Sequence, residues 1–170
     1  MDLGFQREPI YAALFSQVLA TIMPGAEFNP NGALWMAAEA DSVPFRTASR
    51  RYRAAGQLSN EQYPALFMVE RGEVFDRHLV GGPAKVTLIA HFLIQSIAGD
   101  DANILTATEM NNLADVLQGA VEPDYVTLEQ YQLGGLAFIA WITGREVQYI
   151  ASGNSRWSIQ DIECEIIASH

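Results

Sequence analysis

Near the end of the chain, Asp161, Glu163 and Glu165 alternate with Ile162, Cys164 and Ile166. A period of two places the three carboxylates on one face of a β-strand and the apolar groups on the other. Grouped carboxylates can hold a divalent metal ion or serve as general acid and base. Residues two apart on a strand, however, stand in a row and diverge over a flat surface instead of converging on one ion. The row therefore reads as the solvated outer face of an antiparallel sheet, or as a surface past which a polyanion slides without sticking. The sequence leaves those two readings open.

A second grouping is basic. Arg46, Arg50, Arg51 and Arg53 fall close together, although the chain has only 10 Lys and Arg against 20 Asp and Glu, a net charge of −10. The guanidinium is suited to planar, multidentate contact with carboxylates at interfaces. The run is expected to be a contact surface for a carboxylate-rich partner or for DNA, or else a charged strand edge that discourages unwanted pairing. His78, His91 and His170 show no HxxxH, HxH or HxxE spacing, so no metal site is expected. Cys164, the one cysteine, reads as a small buried hydrophobe and excludes an internal disulfide. No GxSxG, Walker or GxGxxG motif occurs. Catalytic residues and cofactors are therefore not expected.

The elements that would position these groups follow from periodicity. With 170 residues, 49% of them hydrophobic, the chain is expected to form one domain with its own core. No stretch has the ~18 uninterrupted apolar residues of a membrane span, and the start lacks a secretory signal pattern. The chain is organised around residues 64–96, read as a β-hairpin. Its second arm, 85–96, sets Val86, Leu88, Ala90, Phe92 and Ile94 against Lys85, Thr87, His91 and Gln95. Residues 73–83 read as a projecting hairpin tip between Gly72 and the Gly81-Gly82-Pro83 breaker. Ile10, Leu14, Val18 and Ile22 repeat every fourth residue and predict an amphipathic helix over 9–22. Met110, Leu113, Ala114, Leu117 and Val121 predict a second over 107–121, opened by a Thr106–Glu109 capping box.

Residues 27–42 look like an insertion, with one or two helical turns over 34–40. Strands are expected at 43–52, 65–70, 85–96, 136–143, 147–151 and 157–169, with a turn at Gly144-Arg145-Glu146. The expected class is α+β: a mostly antiparallel sheet with two helices packed on one face.

Several stretches, in order, resemble the tail terminator (tail completion) proteins of long-tailed bacteriophages. They are residues 7–15 (REPIYAALF), 45–51 (FRTASRR), 61–73 (EQYPALFMVERGE), 133–138 (LGGLAF) and the closing carboxylate-alternating strand. The resemblance implies a non-enzymatic α/β protein of the virion, made in the host cytoplasm and placed at the tail–neck junction. Such proteins form a homo-hexameric ring on the tail tube protein, stop its polymerisation, and present the surface that meets a head-completion or connector protein. DNA passes through the centre without specific binding. On that basis Arg46, Arg50, Arg51 and Arg53 are expected at a subunit or partner interface, and Asp161, Glu163 and Glu165 facing the lumen. The insertion at 27–42 and the tip at 73–83 depart from the family pattern. The competing readings are another neck protein (head closure or tail completion), a tail-tube subunit, or a metal-dependent nuclease using the carboxylate row.

Overall fold

The computed structural model describes residues 6–23, 35–36, 45–76, 85–97, 103–122, 133–152 and 155–169. Two helices, α1 (Arg7–Ile22) and α2 (Asn103–Val121), accompany six strands. The strands are β1 (Trp35–Met36), β2 (Thr47–Ser49), β3 (Ala65–Asp76), β4 (Lys85–Ile97), β5 (Ile139–Ser152) and β6 (Ser155–Ser169). They form one sheet in the order β1-β2-β3-β4-β6-β5, antiparallel throughout except for the parallel pair β2–β3. The class is α+β, as expected.

The alternating residues of the middle strands explain the layering. Val86, Leu88, Ala90, Phe92 and Ile94 of β4 are buried, as are Ile162, Cys164, Ile166 and Ala168 of β6. They form one core with Ile10, Leu14, Val18 and Ile22 of α1 and with Leu113, Leu117 and Val121 of α2. Both helices therefore lie on the same face of the sheet. Gln17 reinforces the pair by donating to the carbonyls of Ala120 and Val121 at 3.0 and 3.2 Å. Pro9 falls in the first turn of α1, where its missing N–H has no helical partner to lose.

Among the described residues the opposite, outer face is covered only at one end. There Leu58 and Tyr63, from the connection between β2 and β3, pack with Ala65, Phe67 and Leu93, joined by the partly buried Val69, Ile97 and Trp157. Tyr63 also accepts a hydrogen bond from the Gly56 N–H at 3.1 Å. Gly56 has a positive φ of 87°, a conformation that favours glycine, and a side chain there would meet the Trp157 ring.

Several boundaries differ from expectation for identifiable reasons. The expected turn at Gly144-Arg145-Glu146 is strand: β5 runs straight through, with a bulge between Ile142 and Gly144. β6, 15 residues long, offers a continuous ladder there, and the bulge absorbs the extra residue. β2 is much shorter than 43–52. Just beyond it the Ser49 hydroxyl accepts the Arg51 N–H at 2.9 Å, a local bond that turns the chain away. Over 34–40, the described Trp35 and Met36 are strand, paired with β2, where helical turns were expected. The rest of 27–42 lies outside the described residues. α2 begins at Asn103, so Thr106 is inside the helix and not at its cap. β3 continues to Asp76, pairing Glu73 to Asp76 with Leu88 to Lys85. The first four positions of the expected tip are thus ladder, and 77–83 lies outside the described residues.

Candidate functional site

The open half of the outer face gathers the carboxylates. β6 lies between β4 and β5, so each of its outward residues has two cross-strand neighbours. Glu163 stands opposite His91 and Gly144, Asp161 opposite Leu93 and Glu146, and Glu165 opposite Ile89 and Trp141. The expected alternation holds: Asp161, Glu163 and Glu165 are all partly exposed on this face, away from the helices.

His91 is the residue that the sequence did not connect to this row. Its Nδ1 lies 2.6 Å from Asp161 Oδ1 and its Nε2 lies 3.5 Å from Glu163 Oε2. A carboxylate can only accept, so the Nδ1 proton is donated to Asp161. The β5 bulge brings in a fourth group: Thr143 Oγ1 donates to Glu163 Oε1 at 2.9 Å. His91 had been placed on the polar face of β4 by its parity. What was missing was the register between β4 and β6, which are separated by a helix and another strand.

This cluster is a surface network and not a converging site. The His91–Asp161 pair is already closed, and among the described residues no group of three His, Cys, Asp or Glu could hold a metal ion. Glu146 directly opposite Asp161 is a like-charge pair, which weakens a ladder. The face is therefore strongly anionic, and a single imidazole stands among four carboxylates. His78 and His170 lie outside the described residues. Cys164 sits on the helix side, fully buried, with burial pushing its thiol up to about 12, so it is inert at neutral pH.

The arginine run does not act as one unit. Arg50 donates to Glu8 of α1 at 2.6 and 2.9 Å and to Glu70 of β3 at 2.6 Å. Its hydrogen bonds hold the Glu8 carboxyl below the usual range. A neighbouring pair repeats the clamp: Arg7 donates to both carboxylate oxygens of Glu73, at 2.5 and 2.7 Å, and lowers that carboxyl as well. Arg50 thus ties α1 and β3 together within the chain. Arg46, Arg51 and Arg53 make no side-chain ion pair among the described residues. Arg51 and Arg53 flank Tyr52 in sequence, and Tyr52 is exposed and meets Phe67 edge-on at 5.7 Å between ring centres.

The sheet thus carries opposite charge on its two flanks, three arginines beside β2 and four carboxylates on β6 and β5. No described helix is long and apolar enough to cross a membrane. No protein-family model matches the chain, and no curated protein sequence matches it.

Proposed function

We propose that this protein is a structural tail terminator: copies assemble into a ring that caps a phage tail tube, halts its polymerisation and joins it to the head. The observation that carries the reading is the asymmetry of the sheet. Both helices are on one face, and the open half of the other presents Glu146, Asp161, Glu163 and Glu165. A ring that turns this face inward has a lumen that repels phosphate, through which DNA can pass without binding. The resemblance of the ordered stretches at 7–15, 45–51, 61–73 and 133–138 supports the same reading.

The test is to mix the purified full chain with tail tubes, measure particle mass and image the tube ends. Six copies at one end of each tube, with further elongation blocked, is the expected result. Binding to the head connector in place of the tube would move the protein to head closure. Open-ended growth would make it a tube subunit. Binding to neither, with divalent metal uptake, would overturn the structural reading.

A further inference from the structure

We infer that the open edge of β5 recognises itself: residues 144–152 pair antiparallel with the same residues of a second copy, across a two-fold axis at Gln148. The inference stands apart from the ring reading.

Among the described residues β5 has β6 on one side and no strand on the other. From Thr143 to Ala151 every residue is exposed except the half-buried Val147. Tyr149 and Ile150 are 67% and 40% exposed, on a strand with neither Lys nor Pro to discourage pairing. An edge of that kind invites another strand.

The open stretch has defined ends and a defined phase. At one end the bulge between Ile142 and Gly144 breaks the ladder, and the Ile142 N–H is donated to Glu122 Oε1 at 2.7 Å, which closes the edge there. At the other end β5 stops at Ser152. Gly144 to Ser152 is symmetric about Gln148. Because the Ile142 N–H turns away from β6, Ile142 and Cys164 are a non-hydrogen-bonded pair. On β6, Ile162, Gln160, Ser158 and Arg156 keep the phase of Cys164, and their partners are Arg145, Val147, Tyr149 and Ala151. Those four therefore point their N–H and C=O groups outward. With the axis at Gln148, Val147 exchanges bonds with the second copy's Tyr149, and Arg145 with its Ala151.

The side chains fit the same register. Val147 and Tyr149 share the helix side, opposite the buried Gln160 and Ser158. Across the axis the exposed Tyr149 ring lies against the second copy's Val147, an aromatic against a β-branched group. On the outer side Gln148 meets its own copy, and a carboxamide both donates and accepts. No charge faces its like: Arg145 stands opposite Ala151, and Glu146 opposite Ile150. Arg145 is already bonded to Gln160 and Asn111 at 2.6 and 2.9 Å, so it needs no new partner. An axis at Arg145 or Glu146 would oppose like charges. An axis at Val147 or Tyr149 would leave part of the edge unpaired. The edge thus matches its own copy over its whole open length, which names the occupant. Such a contact is isologous and closes at two copies, so it belongs to the free protein and not to a ring.

The experiment uses the full chain without tail tubes. Sedimentation over a range of concentrations is expected to show a monomer–dimer equilibrium. Mild oxidation of Gln148→Cys is expected to trap a disulfide-linked dimer, because residues on the axis form a non-hydrogen-bonded pair with α-carbons about 4.5 Å apart. Glu146→Cys and Ile150→Cys should each give none alone and should link to each other when mixed. The buried, unreactive Cys164 does not compete. Tyr149→Lys, at an exposed position, should abolish the dimer at an unchanged melting temperature. A chain that is monomeric at every concentration, a Tyr149→Lys variant that still dimerises, or a dimer trapped by Glu146→Cys alone would each overturn the proposal. A dimer with no tube capping sinks the terminator reading and leaves the β5 contact standing. Capping by a chain that never dimerises does the reverse.

Discussion

The two faces of this sheet are built from the same strands and obey different rules. On the helix side the alternating residues from Val86 to Ile94 of β4 and from Ile162 to Ala168 of β6 are apolar and sealed under α1 and α2. On the outer side, β4 and β6 carry Thr87, His91, Asp161, Glu163 and Glu165, and among the described residues only one end is covered. The first face completes the molecule. The second carries polar groups that contribute little to folding because they remain partly in contact with water. Residues adjacent in sequence should therefore differ several-fold in what they contribute to stability.

The largest effect is expected on the sealed face. Phe92→Ala should cost about 3–5 kcal/mol, read by thermal or denaturant unfolding, because a buried ring leaves a cavity that the packed sheet cannot close. Its neighbour His91→Ala should cost only about 1 kcal/mol, the loss of one hydrogen bond to Asp161. Comparable losses at both positions would break the contrast.

Next in size is the clamp at the margin of the helix face. Arg50→Gln should cost about 1 kcal/mol, since it ends a charge-assisted contact to two carboxylates near the surface. The pH dependence sharpens this. The folded-state carboxyls of Glu8 and Glu73 lie below their usual value. The stabilisation is therefore full above the ordinary carboxyl range and is lost as pH falls through the lowered values. Denaturant titrations of wild type and Arg50→Gln should differ at neutral pH and converge in acid. A gap that persists in acid would show that Arg50 acts through packing.

The smallest effect is on the open face and has the opposite sign. Glu146→Lys should stabilise the monomer by about 0.5 kcal/mol, because it sets a cation opposite Asp161 in place of a like charge. A measurable destabilisation would mean that the carboxylate pair is already relieved by another partner.

How much of this was legible in the sequence follows from which signals are local. The core faces of α1, β4 and β6 were readable from period alone, and all the residues named for them are buried. The positions of Asp161, Glu163 and Glu165 on one face were readable in the same way. His91 beside Asp161 was not, because strand register between segments about 70 residues apart leaves no local trace. Nor was the division of the arginine run: Arg50, Arg51 and Arg53 look equivalent in sequence, and only the fold brings Glu8 and Glu70 to Arg50. Gly144 misled because glycine marks bulges as well as turns.

The place of β6 has one more consequence. It is the last of the described strands in chain order, yet it fills the gap between β4 and β5. Until it emerges from the ribosome, β4 has nothing on that side and the apolar rows beneath the helices have no floor. The β4–β6 ladder at the centre of the sheet thus depends on contacts between distant parts of the chain, a topology that folds slowly and leaves nascent edges open to aggregation. Chains cut short of 155 should accumulate as insoluble or degraded fragments, and late translational pausing should be more harmful than early pausing.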